Sequence, residues 1–249
     1  MGLRYLEEVL EEVEDSLARS KIFIPLDYPD AKTAHAMVDL LLPLRPGFKV
    51  GLELFVAEGP GFVRELSQRG AEIFLDLKFH DIPNTVAGAV RAAASLGISY
   101  FNVHCGGGAE MLEAAVRARD EAENTLGRAP KLLGVTVLTS LDDRAVQEIG
   151  FPRSASAQVK HFVELADACG LDGVVCSAQE LPLVQQVAGE DFVTMIPGIR
   201  PEGAAMGDQK RTMTPREAAA AGAHCLVNGR PITAAADPAE ALRKVMADL

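Results

Sequence analysis

The sequence predicts a closed (β/α)8 barrel, and three observations carry that prediction. Eight short apolar stretches are each followed by a stretch of helical periodicity, which implies parallel strands joined by crossover helices. The alternation fills most of the 249 residues without a linker or low-complexity run, a length that suits a closed TIM-type barrel better than an open doubly wound sheet. Charged residues collect near the carboxyl ends of the apolar stretches, the end at which barrels build their sites.

The chain opens with an amphipathic segment. Over residues 3–19, Leu3, Leu6, Val9, Leu10, Val13 and Leu17 share one helical face, and Glu7, Glu8, Glu11, Glu12 and Asp15 share the other. This reads as a helix over 1–20 that covers an end of a single barrel domain over 21–249. Strands are expected over 21–27, 48–54, 72–79, 100–105, 131–138, 173–176, 192–196 and 225–228. Helices are expected over 31–44, 61–69, 85–96, 109–126, 155–169, 178–187, 215–221 and 239–247. Two connections are long: 139–152, which has room for an extra turn of helix, and 200–212, rich in Gly and charge.

Composition narrows the partners. The chain is 48% hydrophobic, enough for a sizeable core, and carries a net charge of -11. That charge argues against nucleic acid and anionic membranes, while leaving room for a small anion in a local basic pocket. Cys105, Cys169, Cys176 and Cys225 form no C-x-x-C pair and no zinc spacing, so they read as reduced thiols. The first residues are acidic rather than signal-like, no apolar run reaches membrane-spanning length, and Leu6 breaks a myristoylation pattern. The expectation is a cytoplasmic protein.

The stretch 74–86, Phe-Leu-Asp-Leu-Lys-Phe-His-Asp-Ile-Pro-Asn-Thr-Val, concentrates the chemistry. Residues two apart on a strand share a face, so Asp76 and Lys78 leave the sheet together, and Asp81 follows within a turn. Pro83 then starts a helix. An Asp-x-Lys pair is ordinarily a surface ion pair. Here its neighbours Ile73, Phe74, Leu75, Leu77 and Phe79 are apolar on both faces, which marks a covered strand with no packing reason to hold two charges.

Other polar residues near strand ends are Asp27, Lys49, Glu53, His104, Thr139, Ser177 and Arg200. Lys49 and Glu53 are expected on one strand, and Asp27, one strand away, is a candidate partner for Lys49. A snorkelling lysine at the strand start is the competing reading of Lys49. Toward the carboxyl terminus, Pro197-Gly198-Ile199-Arg200 and Asn228-Gly229-Arg230 follow the last two strands. Gly-rich turns there suit phosphate, with backbone N–H groups and an arginine fork meeting the anion. Arg200, Gln209 and Arg230 are the candidate side chains. Gly106-Gly107-Gly108 suffices as a tight turn, though an anion nest stays open. His80 and His104 lie near Asp76 and Asp81, but no helical His pair accompanies them, so no metal site is expected.

The stretch 74–86 resembles the active-site signature of the orotidine 5'-phosphate decarboxylase family. The resemblance runs in order from Leu26-Asp27 through Lys49-Val50-Gly51, Val137-Leu138-Thr139-Ser140 and Pro197-Gly198-Ile199-Arg200 to Gly229-Arg230. It covers the chain from Lys21 onward and leaves out the acidic N-terminal helix. It implies a homodimeric (β/α)8 barrel that converts orotidine 5'-phosphate to UMP and CO2, in pyrimidine biosynthesis, with neither metal nor organic cofactor. It further implies that Asp27 and Lys49 contact the ribose and that Asp76, Lys78 and Asp81 form a charged array with Lys49. Asp81 would enter from the partner subunit. Thr139 and Ser140 would face the pyrimidine, with Thr85 and Pro197 also at the substrate. Arg200, Gln209, Gly229 and Arg230 would take the phosphate. Three readings compete: a Mg2+-dependent sugar-phosphate decarboxylase or aldolase of the same superfamily, a Schiff-base aldolase using Lys78, and a silent nucleotide-binding barrel.

Overall fold

The computed structural model describes residues 20–200 and 213–249, and in them eight parallel strands close into a barrel in sequence order. The strands are β1 (Lys21–Pro25), β2 (Gly47–Val50), β3 (Glu72–Phe79), β4 (Tyr100–His104), β5 (Lys131–Val135), β6 (Gly173–Val175), β7 (Val193–Ile196) and β8 (Cys225–Val227). The helices are α1 (Ala31–Leu41), α2 (Leu52–Gln68), α3 (Pro83–Ala94), α4 (Ala109–Leu126), α5 (Asp143–Glu148), α6 (Ala155–Ala168), α7 (Leu181–Ala188), α8 (Pro215–Ala220), α9 (Arg230–Thr233) and α10 (Pro238–Ala247). Closure comes from β1 pairing with both β2 and β8, so no sheet edge is left open. The helix expected over 3–19 lies outside the described residues.

Two apolar layers hold the barrel. Inside it, Phe23, Phe74, Tyr100, Leu133, Val193, Met195, Cys225 and Val227 fill the amino-terminal half. Phe23 meets Tyr100 edge-on at 5.5 Å and Phe74 at 6.3 Å. Gly47 makes room for that ring, because a Cβ there would lie 2.4 Å from Phe23 Cε1. Outside, alternate strand residues such as Ile24, Phe48, Leu75, Phe101 and Leu226 pack against the helices. Every strand is therefore covered on both faces, which explains the near-continuous apolar runs in the sequence.

Helix starts are set by local chemistry. The Asp30 carboxylate accepts from Thr33 N at 2.8 Å and Asp237 from Glu240 N at 2.9 Å, while Thr214 and Glu217 form a capping box. The extra turn expected within 139–152 is α5, capped by Asp142.

Several boundaries differ from the sequence expectation. β2 stops at Val50, and the apolar residues beyond it belong to α2, where Leu54 is buried and Leu52 is exposed. Glu53 is thus in the first turn of α2 and shares no strand face with Lys49. The helix expected from 61 starts nine residues earlier, and α2 runs through Gly59-Pro60 with a kink at Gly59, φ 69°. Past Val135 the chain leaves the ladder, so the strand expected to 138 ends three residues early. The short α9 was not anticipated, since Arg230-Pro231 resembles a turn.

Candidate active site

Inward positions change character along each strand. Phe23 gives way to Pro25 and Asp27, Gly47 to Lys49, Phe74 to Asp76, Tyr100 to Asn102, and Val227 to Gly229. The carboxyl ends consequently surround a cavity of about 650 Å³. Asp27, Lys49, Asp76 and Lys78 line one side, and Pro197, Arg200, Gly229 and Arg230 line another. Val135, Val137, Leu138, Val175 and Cys176 form apolar wall, with Thr139 and Ser140 at its end. Its size and mixed lining suit a nucleotide-sized organic anion.

Charges alternate along the first side. Lys49 Nζ lies 3.2 Å from Asp27 Oδ1 and 3.4 Å from Asp76 Oδ2. Lys78 Nζ donates to Asp76 Oδ1 at 2.6 Å. Lys49 and Asp76 are largely buried, whereas Asp27 remains open to solvent. Lys49 is therefore no snorkelling lysine; it is the inward member of an ion chain. Burial alone would raise the Asp76 carboxyl, but Lys49 and Lys78, then hydrogen bonds from Lys78 and Asn102, hold it below the ordinary carboxylate range. Gly51 keeps the space clear, since a Cβ there would stand 3.0 Å from Lys49 Nζ.

Asp76 and Lys78 come together by a route the plain two-residue alternation does not describe. Leu75 pairs with Phe101 and Phe79 with Val103, so Asp76, Leu77 and Lys78 stand opposite Asn102 alone. This bulge is closed by Lys78 in the left-handed region, φ 53°. Such a conformation costs a non-glycine residue about 1–2 kcal/mol. Asn102, fully buried, accepts from Lys78 N with Oδ1 at 2.8 Å and donates from Nδ2 to Asp76 Oδ1 at 2.8 Å. Asn102 is not among the residues that strand-end position singles out. Its signal was a lone amide within the apolar run Tyr-Phe-Asn-Val-His.

The predicted residues divide by where the fold places them. Asp27, Lys49, Asp76, Lys78, Thr139, Ser140, Pro197, Arg200, Gly229 and Arg230 all line the cavity. Asp81 and Thr85 do not: both are exposed where β3 passes into α3, beside Ile82, and the Asp81 carboxylate accepts from Ile82 N at 2.6 Å. Gln209 lies outside the described residues. Ser177 is buried away from the cavity, where its N–H donates to Glu180. The His80 and His104 rings lie tilted against each other with centroids 5.4 Å apart, and burial, then His80 and Lys78, push the His104 pKa down against the pull of Asp76. Among the described residues no group of three or more His, Cys, Asp or Glu side chains is placed to hold a metal ion. No described helix is long and apolar enough to cross a membrane.

Fold and site together define a (β/α)8 barrel with a ligand-sized, charge-lined cavity at the carboxyl ends of its strands. Residues 20–245 match the family described as orotidine 5'-phosphate decarboxylase / HUMPS. Orotidine 5'-phosphate decarboxylase of Moorella thermoacetica is 48% identical over 249 residues, covering 99% of this chain and 97% of that protein. The protein of the same name from Alkalilimnicola ehrlichii is 51% identical over 233 residues, covering 94% and 97%. Among solved structures, orotidine 5'-phosphate decarboxylase from Lactobacillus acidophilus superposes with a TM-score of 0.83 at 35% identity, covering 92% of this chain and 98% of that one. An uncharacterized conserved protein from Geobacillus kaustophilus gives 0.80 at 35%, covering 91% and 99%. The chain belongs to the orotidine 5'-phosphate decarboxylase / HUMPS family.

Proposed function

We propose that this protein decarboxylates orotidine 5'-phosphate to UMP in pyrimidine biosynthesis. The observation that carries the reading is the Asp27–Lys49–Asp76–Lys78 ion chain, set beside an apolar wall in a cavity that also holds two arginines. In the reaction the bond from C6 to the carboxylate carbon breaks, CO2 leaves, and the electron pair stays on C6 of the pyrimidine. That ring carbon has no ordinary electron sink. The Lys78 ammonium, already fixed by Asp76, stabilises the developing charge electrostatically and then donates a proton to C6. Solvent returns the proton to Lys78.

The other residues bind. Asp27 and Lys49 hold the ribose hydroxyls, Thr139 and Ser140 face the pyrimidine, and Pro197 closes its edge. Arg200, Gln209, Gly229 and Arg230 take the phosphate, whose remote binding energy helps to organise the site. The reaction proceeds without a metal or organic cofactor: Lys49 puts an ammonium beside Asp76, where a divalent cation would be repelled. The protein acts as a homodimer, and Asp81 enters the cavity of the partner subunit together with Thr85. Support for this comes from the exposed Asp81-Ile82 turn, in which Ile82 is 67% exposed.

The test is ultraviolet absorbance of orotidine 5'-phosphate mixed with EDTA-treated protein. Rapid conversion to UMP is expected. Conversion only after Mg2+ is restored would favour a metal-dependent relative, and UMP binding without conversion would favour a silent barrel.

A further inference from the structure

We infer that Asn102 is a positioning residue for the Asp76/Lys78 pair, an inference that rests on the decarboxylase reading for its kinetic part. The geometry assigns it two tasks at once. Three residues of β3 face this single residue of β4, so the backbone ladder is interrupted between Leu75 and Phe79. The Asn102 amide spans the gap: its Oδ1 accepts from Lys78 N, and its Nδ2 donates to Asp76 Oδ1, each at 2.8 Å. Its orientation is not free. A backbone N–H can only donate and a carboxylate can only accept, so the carbonyl end must face Lys78 and the amino end Asp76.

The consequence reaches the reacting groups. Asp76 Oδ1 receives both Asn102 Nδ2 and Lys78 Nζ, the latter at 2.6 Å, which leaves Oδ2 toward Lys49 at 3.4 Å. Asn102 thus decides which carboxylate oxygen serves which ammonium. It also supplies the acceptor that holds the Lys78 backbone in its left-handed conformation. Without it the Lys78 backbone N–H loses its acceptor, and the root of the Lys78 side chain is released. Asn102 itself touches no cavity space and acts only through these two neighbours. Gln, Ser or Thr would not reproduce the fork at the same reach.

The charged and titratable groups around the amide are Asp76 and Lys78 on β3, Lys49 on β2, Asp27 after β1, and His104 two residues along on β4, against His80. On the other side β5 presents Leu133 and Val135, which do not titrate.

The experiment uses the full chain, with Asn102→Ala and Asn102→Asp. Turnover of orotidine 5'-phosphate by the unsubstituted protein is measured first and tests the decarboxylase reading alone. For Asn102→Ala, kcat is expected to fall by about 10²-fold, the scale of a misplaced reacting group, with UMP affinity changed by less than about threefold. Asn102→Asp tests positioning against mere structure. When protonated, the introduced carboxyl can still donate to Asp76 and accept from Lys78 N; when ionised it repels Asp76. Its kcat relative to the unsubstituted protein is therefore expected to fall as pH rises, whereas the deficit of Asn102→Ala stays constant above the acid range in which Asp76 itself titrates. A third readout does not depend on activity: the carboxyl carbon of Asp76, followed by NMR, should titrate at higher pH in Asn102→Ala because a donor to the carboxylate is gone. The inference is overturned if Asn102→Ala keeps wild-type kcat, if kcat and UMP affinity fall together with thermal stability, if Asn102→Asp follows the unsubstituted pH profile, or if the Asp76 titration does not move.

Discussion

Lys78 is where the demands on single residues are greatest. It holds a backbone conformation that few side chains tolerate, and its Nζ is pinned to Asp76. Both facts reduce the freedom of the ammonium, so under the proposed reaction the proton donor is ordered before ligand arrives. Lys78→Ala is expected to abolish turnover while leaving UMP affinity within about threefold, checked by steady-state kinetics and calorimetry. Asp76 carries a second consequence, in stability. Its carboxyl lies below the ordinary range when folded, so it contributes stability that is fully present above the unfolded value, about 3.9, and is lost as pH falls through the folded one. Asp76→Asn removes that contribution and leaves Lys49 and Lys78 facing each other. We expect the variant to be less stable at neutral pH by up to about 3 kcal/mol, with the gap narrowing as pH drops below the usual carboxylate range. Urea unfolding across acid pH measures it.

At the scale of elements, the barrel is organised by what each strand turns inward at its two ends. Amino-terminal halves supply rings and branched chains, and carboxyl ends supply charge or glycine. β2 illustrates the division within four residues. Gly47 yields to the Phe23 ring at the floor, and Lys49 meets Asp27 and Asp76 at the mouth. Gly47→Ala would drive a methyl group into that ring, so a loss of about 1–3 kcal/mol in unfolding free energy is expected, with kcat nearly unchanged because the mouth is untouched. Thermal unfolding together with kinetics distinguishes this from a site effect. Most of this element level was legible in the sequence: β3 and α4 have the expected bounds, since a doubly covered strand and a long amphipathic helix give strong patterns. α2 was misjudged at its start because Leu52, Leu54 and Phe55 suit a strand as well as a helix, and only burial of Leu54 beneath the helix layer decides between them.

For the whole molecule, assembly is a matter of counting sites. Asp81 and Thr85 do not line the cavity of their own chain, although they belong to the segment that supplies Asp76 and Lys78. In a symmetric dimer that exchanges Asp81, each site draws Lys78 from one chain and Asp81 from the other. Lys78→Ala and Asp81→Asn should then each be nearly inactive alone. Mixed under conditions of subunit exchange, they should recover about a quarter of wild-type activity, since half the dimers are hybrids with one intact site of two. Activity of the mixture no higher than that of the separate variants would exclude the exchange.

The amino-acid sequence by itself determined the eightfold strand–helix order, the side of the barrel that carries charge, and the identity of Asp27, Asp76, Lys78, Arg200 and Arg230 as cavity residues, while leaving Lys49 between an inward and a snorkelling side chain. It did so because periodicity and strand-end position are local properties of the chain. Only the tertiary structure decided which carboxylate oxygen meets which ammonium, that Glu53 turns away on a helix, and that Asn102 bridges a bulge between β3 and β4. Those outcomes depend on register between strands far apart in sequence. Alternation along one strand cannot reveal two extra residues that appear only when its neighbour is laid beside it.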